Sequence, residues 1–186
     1  MFVISVCWNS FIIANTWEQR KLGDIYTTAG SGGTPLSSNQ DYYNGVIPFL
    51  GIADIQYRDI CATEKTITQA GLDNSAAWLV PSGAISLAMY ASVGKVGILR
   101  QETATSQAFF NMVFGDDERR DFIFTRLEKA NSDNEWERVI STGTQRNLNA
   151  EKVKGFEIAV PGISETRTIG AFFRSLDDLI TLHQRK

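Results

Sequence analysis

The stretch SETRTIGAFFRSLDDLITLHQRK, Ser164 to Lys186, decides how the rest of the chain is read. Its apolar side chains fall at Ile169, Phe172, Phe173, Leu176, Leu179 and Ile180, the spacing of one face of an α-helix. Ile169, Leu176 and His183 stand seven apart with Phe172 and Leu179 between them, so the stripe follows the a and d seam of a coiled coil. Ser164 offers a hydroxyl to cap the first turn. No Gly or Pro closes the pattern before Lys186, and the helix reads as one cut through its middle. Two packings satisfy such a face, burial on this chain's own body or pairing with a partner helix. The seven-residue spacing and the open end favour the partner.

Upstream, the apolar runs at Val46–Ile55, Ala84–Tyr90, Val96–Leu99, Ala108–Phe114 and Phe156–Val160 are short, bounded by Gly and Pro, and predict strands. Thr16 with Gln19 resembles a capping box, and Gly23 then closes a predicted short helix carrying Trp17 and Leu22. Helical spacing recurs over Glu118–Ala130 and around Glu135–Ile140, ahead of the polar loop 141–149. Strands gather in the middle and helices at the ends, which predicts an α+β domain with a strand-rich core, not alternating βαβ units.

With 186 residues and 43% hydrophobic side chains, the chain can fill one core but not two full-sized ones. Eighteen basic against 21 acidic residues leave a net charge of -3, so any polyanion surface has to be a local patch. Cys7 and Cys61 show neither a metal-ligand spacing nor a disulfide framework, which points to a reducing, cytoplasmic setting. The first 14 residues are apolar but lack a basic lead-in and fall short of the ~20 residues that span a bilayer. No membrane role is expected, and residues 1–16 receive no assignment.

Catalysis is argued against by composition. The single histidine, His183, sits on the predicted seam, far from any other candidate ligand or nucleophile. GSGGTP, residues 30–35, has the glycines to approach a phosphate but not the Lys-Ser/Thr ending of a P-loop, and Gly94-Lys95 is followed by Val96. Asp116 with Asp117 and Asp177 with Asp178 read as solvated pairs, while Glu64 with Lys65 and Glu151 with Lys154 are poor material for a metal-dependent nuclease. Three polar groups remain: Ser141–Asn147; Tyr90, Ser92, Lys95, Thr105, Ser106 and Gln107; and Arg119, Arg120 and Arg126. Each suits phosphate or base-edge contact and each is equally compatible with ordinary surface.

WEQRKLGDI (17–25), SGGTP (31–35), ITQAGLDNSAAWLVPSG (67–83), STGTQRNLN (141–149) and IGAFFRSLDDLITLHQRK (169–186), in this order, resemble the DNA specificity subunit of type I restriction-modification systems. The resemblance covers nearly everything after residue 16. It implies a full subunit with two target-recognition domains, each followed by a conserved helix, the two helices packing as a spacer. This chain then holds one recognition domain, 17–163, and the start of one spacer helix, 164–186. The implied role is noncatalytic, without a cofactor of its own: the domain reads half of a split target in double-stranded DNA, while modification (methyltransferase) and restriction subunits supply the chemistry.

Side-chain chemistry and the resemblance together nominate DNA contacts at Gly32, Gly33, Thr34, Tyr90, Ser92, Lys95, Thr144, Gln145, Arg146 and Asn147. Lys95 and Arg146 suit phosphate, Gln145 and Asn147 suit base edges, and the glycine turn lets backbone approach a duplex. The nominated helix-partner interface is Ile169, Phe172, Phe173, Leu176, Leu179, Ile180 and His183, forming a homodimer of antiparallel helices. An assembly protein that uses its helix without reading DNA is the rival expectation, and a small nuclease a more distant one.

Overall fold

The apolar runs in the middle of the chain become strands covered on both sides, and these build the body that carries everything else. The computed structural model describes residues 17–140 and 148–184. In chain order the strands are β1 (Glu18–Lys21), β2 (Thr28–Gly30), β3 (Tyr43–Phe49), β4 (Asp59–Ile60), β5 (Lys65–Ile67), β6 (Trp78–Val80), β7 (Ile85–Ala88), β8 (Val96–Leu99), β9 (Thr103–Thr105), β10 (Phe109–Val113) and β11 (Glu157–Val160). The α-helices are α1 (Gln69–Asp73), α2 (Asp117–Ser132), α3 (Ala150–Lys154) and α4 (Ile163–Gln184). One sheet of five strands has the order β2-β10-β7-β8-β4, a second of four the order β5-β3-β9-β6, and β1 pairs with β11 alone.

Alternation along the central strands shows why their sequences are almost continuously apolar. Ile85 and Leu87 of β7, Ile98 of β8, and Phe110 and Met112 of β10 face the main core with Phe122, Ile123, Phe124 and Leu127 of α2. Their neighbours Ala84, Ala88, Leu99 and Phe109 face the opposite way, into a second cluster with Leu50, Ile55, Ile60 and Val80. A strand buried on both faces has no polar face to show. Each large apolar side chain so buried contributes about 1.5–3 kcal/mol. The start of α2 is fixed by Asp116, whose Oδ1 accepts the Arg119 N–H at 2.7 Å, and Asp117 and Glu118 add charge suited to a helix N-terminus.

The expected short helix at Trp17–Gly23 is absent. Residues 18–21 form β1, antiparallel to β11 with Glu18 opposite Val160 and Lys21 opposite Glu157, and a 3-10 turn at Leu22–Asp24 follows. The apolar run 46–55 likewise ends as a strand at Phe49, then turns through Ile52–Asp54. There the Asp54 carboxylate accepts the Gly51 N–H at 2.7 Å. The remaining expected strands and the helix over 118–130 form where the patterns place them, and 135–140 opens with a 3-10 turn at Glu135–Arg138. Among the described residues, no helix is long and apolar enough to cross a membrane.

Candidate nucleic-acid interface

The hairpin between β7 and β8 is the centre of the candidate surface. Its chain reverses through Gly94 N–H to Ala88 O at 3.0 Å and Lys95 N–H to Ser92 O at 3.0 Å. Ala91 takes a left-handed φ of 61° and Gly94 one of 88°. At Gly94 the demand is also spatial, since a Cβ would sit 2.5 Å from Trp136 Cδ1. The hairpin is therefore braced on the buried Trp136, and Tyr90 and Ser92 project from it exposed. Lys95 is half-buried, with its Nζ donating to Ile52 O at 3.4 Å, so its ammonium already has one weak partner.

Hydrogen bonds connect this hairpin to the other nominated groups. Met89 N–H donates to Ala108 O at 2.8 Å, and Met89 O accepts from Leu148 N–H at 3.1 Å, immediately after the polar loop. Thr34 Oγ1 is 3.0 Å from Gln107 Oε1, next to Ala108. The turn at 32–34, the hairpin at 90–95 and the downstream end of the polar loop thus share one end of the five-stranded sheet. Thr144, Gln145, Arg146 and Asn147 themselves lie outside the described residues.

Other nominations change meaning. Gly32 and Gly33 are glycines because their backbone approaches this chain's own residues, not a ligand: a Cβ on Gly32 would come within 1.9 Å of Thr105 O in β9, and one on Gly33 within 2.7 Å of the Ala76 Cβ just before β6. Thr105 and Ser106 are buried. Thr105 Oγ1 accepts from Asn111 Nδ2 at 2.8 Å, and Asn111 Oδ1 in turn accepts from Ser86 Oγ at 2.7 Å, an internal network joining the two sheets. The arginine group is no free cationic patch either. Arg119 is 3.7 Å from Asp116, Arg126 pairs bidentately with Glu135 at 3.1 and 2.7 Å, and Arg120 is buried beside Asp121.

The long helix divides along its length. Ile169 is half-buried and packs on the main core, so the first member of the predicted seam serves the chain's own body. Phe172, Phe173, Leu176, Leu179 and Ile180 are exposed, as is Leu182, which the seam did not include. The Phe172 and Phe173 rings meet edge to face at 5.4 Å. His183 is exposed.

Sequence reasoning missed the buried ionic cluster where this helix meets the body. Asp121, 2% exposed, lies 2.7 Å from Arg58 Nη2, 3.0 Å from Arg120 Nη2 and 2.8 Å from Arg174 Nη2. Arg58 Nη1 donates to Asp177 at 3.0 Å, and the Arg58 guanidinium lies 4.5 Å above the centre of the Phe124 ring. Asp177, expected to be solvated, is instead half-buried. Burial pushes its carboxyl up and the Arg58 hydrogen bond opposes that rise. Glu128 is exposed as a residue, yet desolvation of its carboxyl and then the charge of Asp177 push it up to about 7, against Arg58. The partners are up to 119 residues apart, and no local pattern marks them. No group of three or more His, Cys, Asp or Glu side chains fit to hold a metal occurs among the described residues.

The fold of this chain is shared with solved structures from type I restriction-modification systems. A chain from a structure on complex assembly and conformational transition of the type I restriction-modification system superposes with a TM-score of 0.70 at 18% identity, covering 91% of this chain and 40% of that one. The HsdS subunit from Thermoanaerobacter tengcongensis superposes with a TM-score of 0.66 at 16% identity, covering 91% and 39%. Residues 14–186 match the type I restriction modification DNA specificity domain, and the chain belongs to that family. The MjaIX specificity subunit of Methanocaldococcus jannaschii is 30% identical over 172 residues, 90% of this chain and 39% of the relative. The HindI specificity subunit of Haemophilus influenzae is 24% identical over 171 residues, 88% and 37%. The chain thus spans about two fifths of the length of these relatives.

Proposed function

We propose that this chain is a noncatalytic, sequence-specific DNA reader: its body docks on one half of a split double-stranded target, and modification and restriction subunits of a type I complex supply methylation and cleavage. Family membership across residues 14–186 carries this reading. Two copies pair through antiparallel C-terminal helices, which sets the bodies at opposite ends and mimics a subunit with two recognition domains. The exposed Phe172, Leu176, Leu179 and Ile180 support that pairing, because such a stripe sheds its water only against a partner. Contacts to DNA come from the hairpin at 90–95, from Thr34 and from Thr144–Asn147.

The test is selection of binding sites from random DNA by the chain assembled with modification subunits. A split consensus is expected, and its absence would sink the reading. Lys95→Ala and Arg146→Ala are expected to weaken binding to every sequence and to lower the salt slope by about one unit for each phosphate left without its cation, whereas Gln145→Ala or Asn147→Ala shifts the consensus. Unchanged affinity, slope and consensus in all four variants would move the readout elsewhere on the body.

A further inference from the structure

The direction of α4 against the body is held at two places along its length. At Gly170 the helix backbone comes so near α2 that an added Cβ would lie 2.9 Å from Glu118 O and 3.2 Å from Phe122 N. One turn on, Arg174 reaches the buried Asp121 at 2.8 Å. Nearly another turn on, Asp177 holds Arg58 at 3.0 Å, and Arg58 closes the loop by pairing with Asp121 at 2.7 Å. The two ends of this contact, residues 170 and 177, are ~10 Å apart along the axis. Two anchored points on a rigid rod fix its angle.

The chemistry of the second anchor is unusual for a plain helix contact. Three guanidinium groups converge on one carboxylate, and both Arg58 and Asp121 are almost fully buried. Charges so withdrawn from water cost several kilocalories to desolvate, and apolar side chains of similar size would hold two helices together as well or better. What the ionic arrangement adds is direction, because the Arg58 hydrogen bond to Asp177 on the helix tolerates only a narrow range of positions and the Arg174 charge must come to lie beside Asp121. Past this anchor Leu179, Ile180 and Leu182 remain largely exposed.

We propose that the Gly170 contact and the Arg58–Asp121–Arg174–Asp177 cluster form a clamp that sets the angle of the C-terminal helix, and through it the separation of DNA half-sites that the assembled protein accepts. The second half of this statement rests on the DNA-reading role and helix pairing proposed above. Leverage makes the angle matter: a swing of ~10° displaces a point ~30 Å along a helix by ~5 Å, more than one base-pair rise of ~3.4 Å. Arg58, Arg174 and Asp177 are thus positioning residues that touch no DNA.

Two readouts test this on the full chain. In the first, spin labels are placed at Lys65→Cys and His183→Cys, with Cys7 and Cys61 changed to Ser and the labelled chain diluted into excess unlabelled chain. Wild-type clamp residues are expected to give one narrow distance distribution. Arg174→Ala, Asp177→Asn and Gly170→Ala should each broaden or shift it by more than ~3 Å, the order of the leverage above. In the second, the assembled complex selects from targets whose half-sites are separated by varied lengths. The same variants should shift or widen the preferred separation by one or two base pairs while leaving the half-site sequences unchanged, and Arg174→Lys should recover most of the wild-type profile. Val80→Ala, which loosens the second cluster beside the four-stranded sheet, should lower thermal stability without moving either readout.

Unchanged label distances in all three clamp variants would overturn the clamp, even if they melt earlier. Changed distances with an unchanged separation profile would overturn its link to spacing. A wild-type complex that selects no split site would refute the DNA-reading role and the spacing link with it, and the label distances would still decide the clamp.

Discussion

Helices α2 and α4 lie against each other and both carry large apolar side chains, yet these meet opposite fates. In α2, Phe122, Ile123, Phe124 and Leu127 are all buried by the five-stranded sheet and its surroundings. In α4, Ile169 packs on that core, while Phe172, Phe173, Leu176, Leu179, Ile180 and Leu182 keep a large part of their surface exposed. The difference lies in what the second face of each helix meets. The body covers the apolar side of α2 and leaves only polar residues such as Glu128 and Lys129 exposed, whereas α4 is held by its early turns and its ionic cluster, leaving an apolar stripe free for another molecule. An apolar face says that something will cover it, and the surrounding structure says whether that cover is internal.

The sharpest way to break the contrast is in α2. Phe124→Ala removes a fully buried ring and the face beneath Arg58, and should cost about 3–5 kcal/mol in urea unfolding, whereas Phe172→Ala on α4 should change unfolding at low protein concentration by no more than ~0.5 kcal/mol. Equal losses at the two sites would mean that the α4 stripe is covered by the body after all. Next in size, Asp121→Ala strands the buried Arg58 and Arg120 without their shared carboxylate and should cost about 3 kcal/mol, whereas Asp178→Ala, one residue from the cluster but exposed, should be nearly neutral.

Leu176→Glu sharpens the other side of the comparison. It should abolish dimerisation in sedimentation experiments, raising the dissociation constant by ~100-fold or more, and leave the melting of the monomer unaltered. A strict monomer at high wild-type concentration would contradict it. The smallest expected effect is electrostatic. Glu128 titrates at about 7 in the folded chain against an ordinary 4.5, so the folded state binds more protons across that interval. Its contribution to stability is therefore greatest below pH 4.5 and declines as pH rises to 7, and Asp177, raised in the same direction, adds to the slope. Glu128→Gln should flatten this part of the stability–pH curve, and an unchanged slope would assign it to other groups.

How much is legible in the sequence follows from the range of each interaction. The central strands and α2 announce themselves because their burial is written in consecutive residues, as in Ile85–Ala88 or Phe122–Phe124. β1 reads as helix from its own residues because the four exposed positions Glu18–Lys21 owe their shape to a ladder with β11, about 140 positions away. The short strands β5, β6 and β9 carry two or three informative residues each, too few for a period. At the candidate interface, Tyr90 and Ser92 project as their polar chemistry suggests, while Gly32 and Gly33 serve packing against Thr105 and Ala76. A glycine reports only that something is close, not whether it is a ligand or the chain itself. The ionic cluster is invisible in the sequence because Arg58, Asp121 and Asp177 look like ordinary surface charges until the fold brings them together.

The β1–β11 ladder has an evolutionary corollary. Because Glu18 lies across from Val160 and Lys21 across from Glu157, everything folded between residues 22 and 156 leaves the body where it began. Such a module meets the rest of the chain along a ladder four residue pairs long and at the contacts of Glu118, Asp121 and Arg58 with the long helix. Replacing its interior by a related module would require that the ladder be matched and that the residues holding the long helix, Arg58 and Asp121 among them, be kept, so that the helix still departs from the same place. Exchange of the whole cassette on those terms leaves the scaffold in register.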